Sequence, residues 1–178
     1  AGQRPVRGAR VSDGRTVVKV DADGRFDFPS WSTQGYVTVC PPAGYALPTS
    51  ATGTLQLYAP LPPAGGELSH QFQLTPRASG DERHSFLVLA DPQTENDFEM
   101  KRFHAETVPD VLATRASLGE RAAFGAGRGD LMFDHLELFP EYERAVSRMG
   151  LPFAQVVGNH DLDYDARTTE GSTATFQR

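Results

Sequence analysis

The sequence predicts two domains of different class. A small β-sandwich is expected over residues 1–77. After a linker at 78–84, the beginning of an α/β domain is expected over 85–178. Three observations carry this. The front part alternates polar and apolar residues between Asp-Gly turns, which is the period of a half-buried strand. "TPRASGDERH" is then polar and rich in turn formers, as linkers are. Beyond it, unbroken apolar runs alternate with stretches of helical spacing, the order of a parallel sheet with helices laid on it.

In the front part, "ARVSDGRTVVKVDADGRFDF" reads as short strands between the turns "SDGR" and "DADGR", since Asp-Gly tolerates positive φ. "GYVTVCPPAGY" is a further strand, stopped by Pro41 and Pro42, which cannot donate to a ladder. A loop rich in Pro and Gly precedes a last strand expected at 69–74. Asp21 and Asp23 lie in a stretch that could be taken for a calcium loop. The full spacing of such a loop is absent, and the turn reading is preferred. Cys40 reads as a small core hydrophobe. Trp31, Tyr36 and Tyr45 could form a sugar-binding platform, with core packing the preferred use of each. The stretch "VRGARVSDGRTVVKVDADGRFDF" resembles carboxypeptidase-regulatory-like and related immunoglobulin-like modules. The resemblance implies a rigid adjunct and little chemistry.

In the second part, "SFLVLADPQ" is a continuous apolar run, expected to be a strand buried on both faces. Residues 95–118 are mostly helix-compatible, with Pro109 expected to start or interrupt a helix. "AAFGAGRGD" is a second strand diluted by glycine. "HLELFPEYERAVSRMG" spaces Leu136, Phe139, Tyr142, Val146 and Met149 at helical intervals, with Pro140 a blemish and Gly150 the stop. "PFAQVVGNHD" is the third strand. "GAGRG" lacks the Lys-Ser or Lys-Thr that would complete a phosphate-binding P-loop.

The formal net charge of -6 argues against a nucleic-acid grip, which needs clustered Lys and Arg. No apolar run is long enough to cross a bilayer. Oligomeric state is not legible.

Each strand of the second part runs into residues able to hold a metal or move a proton. The first leads to Asp91 and Gln93, the second to Asp130, the third to Asn159 and His160. Taken singly, Asp91 before Pro92 is a turn former, Asp130 a surface acid, Asn159 a turn residue and His160 a surface histidine. In an open α/β sheet, however, sites gather beyond the carboxyl ends of the strands. Phosphate-ester hydrolysis suits these residue types. Two divalent cations can screen the anion and activate a water, a shared carboxylate can lie between them, and a free histidine can protonate the leaving oxygen. His84 and His104 read as solvated or packed. Asp134 and His135 could reach the mouth of such a site, but the preferred reading has Asp134 capping the next helix.

The order Asp-x-Gln, Gly-Asp, Gly-Asn-His-Asp resembles the first half of the calcineurin-like metallophosphoesterases, of the αββα sandwich type. "DPQ" stands where that family usually has Asp-x-His, as in a bacterial branch with a β module in front, and "GDLMFDHLELFPEY" is similar to that branch. The resemblance implies hydrolysis of a phosphate mono- or diester with two divalent ions, Mn, Fe or Zn. It implies Asp91 and Gln93 at the first metal, Asp130 bridging and Asn159 at the second. His160 becomes the acid or phosphate clamp, and Asp161 orients it through its ring N–H. Gln93 is the departure, because an amide oxygen is a weaker donor than imidazole. No histidine follows His160, whereas the family draws later ones from a Gly-His-x-His motif. The chain is therefore expected to hold only the first part of the catalytic domain, with an exposed or wrongly covered flank on its third strand, and by itself to bind divalent metal weakly and to show little or no phosphoesterase activity. The competing expectation is a non-catalytic surface or periplasmic binding module with a degenerate phosphatase half.

Overall fold

A computed structural model of the protein describes residues 4–31, 33–62, 66–78 and 80–177. The chain divides into two compact units, Ala1–Pro48 with Gln56–Glu82, and Thr49–Leu55 with Arg83–Arg178.

The first unit holds β1 (Arg10–Ser12), β2 (Val17–Lys19), β3 (Tyr36–Cys40) and β4 (Tyr58–Pro60) in one antiparallel sheet of order β2-β1-β3-β4. Alternation sends Val11, Val37, Val39 and Ala59 to one buried face. The side chains that close over this face, Phe26, Phe28, Leu68, Phe72 and Leu74, come from irregular segments. Among the described residues the second sheet of the expected sandwich is not formed, and 69–74 is not a strand. Alternation fixed which side chains face inward there, but a ladder also needs a neighbouring strand in register.

Both Asp-Gly turns form as read. Asp13 Oδ1 accepts the N–H groups of Arg15 and Thr16, and Asp13 Oδ2 accepts the Ser30 hydroxyl at 2.6 Å. These bonds hold the Asp13 carboxyl down at a pKa of about 2, Ser30 contributing most. Asp21 Oδ1 accepts from the N–H groups of Asp23 and Arg25, which is turn chemistry. Three expectations are corrected: Cys40 is exposed, Trp31 is 55% exposed and Tyr36 is 40% exposed. None of the three is a core residue.

In the second unit β5 (His84–Leu89), β6 (Ala122–Arg128) and β7 (Phe153–Val156) form a parallel sheet with β6 in the centre. Between β5 and β6 run α1 (Asp97–Arg102), a π-helical turn (Phe103–Thr107) and α2 (Val108–Ser117). The widened turn precedes Pro109, and the Val108 N–H reaches back five residues to the Phe103 carbonyl. A proline lacks an N–H and crowds the carbonyl four residues back, so a wider turn there relieves the conflict. Pro140 sits at the start of α3 (Phe139–Met149), where a missing N–H costs nothing, and Gly150 ends it at φ 63°. A short helix, α4 (Thr169–Ser172), lies near the end.

The core of this unit gathers Met100, Val108, Tyr142, Val146, Met149 and Phe153, with Leu87 and Leu89 packed against it. On the other face of β5, Phe86 is 62% exposed and Val88 44%. The run read as buried on both faces is thus buried on one. The glycines of β6 are sockets. A Cβ at Gly125 would overlap the Phe153 ring, and one at Gly127 would overlap the Gln155 side chain. The flank of β7 is met at its start by the Gly53–Leu55 stretch, through Phe153 N–H to the Gly53 carbonyl (2.9 Å) and Leu55 N–H to the Phe153 carbonyl (2.8 Å).

Candidate functional site

The loops after the three strands are stitched together by backbone. Gln93 N–H donates to the Asp130 carbonyl at 2.9 Å, and Phe133 N–H to that of Thr94 at 3.0 Å. Thr94 is itself buried. These bonds join the β5 end to the β6 end. The β6 and β7 ends meet through two glycines. A Cβ on Gly129 would come within 3.0 Å of the Gly158 Cα, and a Cβ on Gly158 would occupy the place of the Asp130 carboxylate. Without side chains there, His160 N–H can donate to Asp130 Oδ1 at 3.1 Å.

Asp130 is therefore the meeting point. Its Oδ1 takes the His160 N–H, and its Oδ2 lies 3.5 Å from Gln93 Nε2. The amide nitrogen of Gln93 faces this carboxylate. Asp91 and Asn159 are exposed at the ends of β5 and β7, and Tyr164 donates its hydroxyl to the Asn159 carbonyl at 2.7 Å.

Backbone conformation marks the same place. Among the described residues the non-glycine residues at positive φ are Asp91 (58°), Gln93 (44°), Asp130 (45°) and Asp134 (64°). Left-handed backbone costs an L-residue about 1–2 kcal/mol. Such conformations persist where surrounding structure over-determines them, and they gather at functional sites. Here all four lie on the loops after β5 and β6.

Asp134 and Asp161 exchange the roles read from the sequence. Asp134 does not cap a helix; the residue preceding the 3₁₀ turn Leu136–Leu138 is His135, with no side-chain cap. Instead Asp134 Oδ1 lies 2.9 Å from His160 Nδ1, and Asp134 N–H donates to the His160 carbonyl. A carboxylate only accepts, so Nδ1 carries the hydrogen and Nε2 is the ring nitrogen left for a ligand. Phe133 stacks on the imidazole, centroids 4.2 Å apart and planes at 21°. The hydrogen bond to Asp134 pushes the His160 pKa above the ordinary histidine value. Partial desolvation opposes this, and the charges of Asp134, Asp130 and Asp161 reinforce it.

Asp161, expected to orient the His160 ring, is fully buried and turned away to backbone. Its Oδ1 accepts Met132 N–H at 2.9 Å and its Oδ2 accepts Gly158 N–H at 2.8 Å. It braces the two loops that carry Asp130, Asp134, Asn159 and His160. His135 pairs with Glu137 at 2.9 Å, away from His160.

The donor chemistry available to a metal is two carboxylates, Asp91 and Asp130, and two side-chain amides, Gln93 and Asn159. Oxygen donors of this kind suit hard or borderline divalent cations. Among the described residues no group of three or more His, Cys, Asp or Glu side chains is gathered to hold a metal ion. The donor types present are therefore carboxylate and amide oxygens rather than imidazoles.

No helix among the described residues is long and apolar enough to cross a membrane. No curated protein and no solved structure matches the chain. Residues 1–77, the stretch that carries the antiparallel sheet and none of the strand-end residues, match the family described as the N terminal of calcineurin-like phosphoesterase.

Proposed function

We propose that this protein hydrolyses phosphate esters, mono- or diesters, with divalent metal held at the ends of β5, β6 and β7. The observation that carries the reading is the convergence on Asp130 and His160. Gln93 and His160 both touch the Asp130 carboxylate, and Asp134 engages the ring of the same histidine. The family match over residues 1–77 supports it from the other end of the chain.

In this reading Asp91 and Gln93 would hold one ion, Asn159 would hold a second, and Asp130 would serve both. Bound there, divalent cations such as Mn²⁺, Fe²⁺ or Zn²⁺ would offset the phosphate charge and activate the attacking oxygen. His160, its Nδ1–H fixed on Asp134, presents Nε2 to the substrate. In its protonated form the ring can donate a proton to the departing oxygen or grip a phosphate oxygen. Phe133 keeps the ring in plane, and Asp161 keeps the two loops at fixed separation without touching substrate.

Hydrolysis of p-nitrophenyl phosphate and bis(p-nitrophenyl) phosphate by a full-length version of the protein, with Mn²⁺, Fe²⁺ or Zn²⁺ supplied, tests this. Asp130→Asn is expected to abolish turnover, while Gln93→Ala retains part of it, because Gln93 serves at most one ion. His160→Ala is expected to slow turnover by roughly 10²–10⁴-fold, the usual contribution of a general acid. Wild-type activity in Asp130→Asn refutes the shared carboxylate. No hydrolysis by the wild type with any of the three metals favours a binding module instead.

A further inference from the structure

The first unit carries a cleft of about 450 Å³ beside the sheet. That is within the size range of ligand sites, roughly 300–1,000 Å³. Phe28, Val37 and Leu68 line it together with Trp31, Asp27 and Glu67. Both carboxylates are exposed, and neither has an ion-pair partner among the described residues. Among the described residues no Lys or Arg lines the cleft.

The segment bearing Trp31 is held in place. Ser30 donates its hydroxyl to Asp13 Oδ2, and Gln34 N–H closes a turn on the Trp31 carbonyl at 2.9 Å. The Arg15 guanidinium lies 4.2 Å from the centroid of the indole ring. Trp31 therefore already takes a guanidinium on its ring, from a residue outside the cleft lining.

The donor and acceptor inventory selects the ligand. Carboxylates are acceptors, and one of the two Gln34 amide hydrogens is already given to the Thr33 hydroxyl at 3.3 Å. A neutral sugar can donate its hydroxyls to these carboxylates, but it gains nothing from their charge. A guanidinium or ammonium has donors and no acceptor, carries the complementary charge, and favours an aromatic wall. Its aliphatic stem suits the apolar side chains of the lining.

We propose that this cleft binds the cationic side chain of an extended partner polypeptide, an arginine or lysine with apolar neighbours. The proposal is independent of the strand-end site. Trp31 is the only tryptophan of the chain, so its fluorescence reads the cleft directly. The full chain is titrated with acetyl-Pro-Arg-Pro-amide and with the same peptide carrying neutral citrulline in place of arginine. The arginine peptide is expected to change Trp31 emission saturably below millimolar concentration. The citrulline peptide is expected to bind about tenfold more weakly, the scale of a partly desolvated cation–π contact. The double variant Asp27→Asn/Glu67→Gln is expected to lose a similar factor, with its unliganded emission unchanged. Added salt is expected to weaken the arginine peptide alone. Equal binding of the two peptides overturns the proposal, as does the lack of any saturable change. Tighter binding of a neutral oligosaccharide such as maltotriose also overturns it, in favour of a sugar site.

Discussion

Replacing Asp161 tests the division of labour at the strand ends. Its side chain is fully buried and accepts two backbone N–H groups, from Met132 at 2.9 Å and Gly158 at 2.8 Å. A hydrogen bond to a charged group contributes about 1.5–3 kcal/mol, and a buried donor left unpaired costs about 1–3 kcal/mol. Removing a buried charge also returns some of the desolvation cost. Together these put Asp161→Ala at about 2–4 kcal/mol of destabilisation. Asp161→Asn is expected to cost less, about 1–3 kcal/mol, since its amide oxygen still accepts one N–H while its NH₂ confronts the other. Urea unfolding followed by far-UV circular dichroism reads the second unit, where α1 to α4 all lie. Trp31 fluorescence follows the first unit in the same samples. A loss below about 1 kcal/mol refutes the brace, being the size of an ordinary surface substitution. So does a shift of the His160 pKa as large as the one caused by changing Asp134.

Two further outcomes follow from the same bonds. Asp134→Asn removes the main cause of the raised His160 pKa, so the ring is expected to titrate lower, followed by NMR of its C–H resonances. The pH-dependent stabilisation from this pair, present below the ordinary histidine value and lost as pH rises through the folded one, should shrink with it. An unmoved titration curve would detach Asp134 from His160. In the first unit, Asp13 has its pKa lowered from 3.8 to about 2, so its contribution is full above pH 3.8 and is lost as pH falls towards 2. Acid unfolding read by Trp31 is expected to flatten over that window in Asp13→Asn, and an unchanged acid limb would refute it.

In the second part, element type and order could be read from the sequence, because those are periodic. The turns at Asp13 and Asp21, the strand before Asp91 and the helix ending at Gly150 are all local patterns. What could not be read depended on neighbours distant in sequence. The glycines of β6 looked like weakness in a strand, yet Gly125 and Gly127 are where Phe153 and Gln155 fit. The apolar run of β5 shows its hydrophobicity but not which face is covered. The choice between Asp134 and Asp161 had no local signal, since one lies 26 residues from His160 and the other next to it. The adjacent residue points its carboxylate at backbone, and the distant one meets the ring. The left-handed backbone at Asp91, Gln93, Asp130 and Asp134 is equally invisible in a string of letters, because Asp and Gln carry no requirement for it.

The central claim is that the ends of β5, β6 and β7 form one divalent-cation site around Asp130. A titration with Mn²⁺, read by paramagnetic broadening of backbone amide resonances, tests it without relying on turnover. Broadening is expected first at Asp91, Gln93, Asp130, Asn159 and His160, at one common concentration, and is expected to vanish in Asp130→Asn. Broadening that begins at the Asp21–Asp23 turn, spreads evenly over the acidic surface, or survives unchanged in Asp130→Asn would contradict the claim.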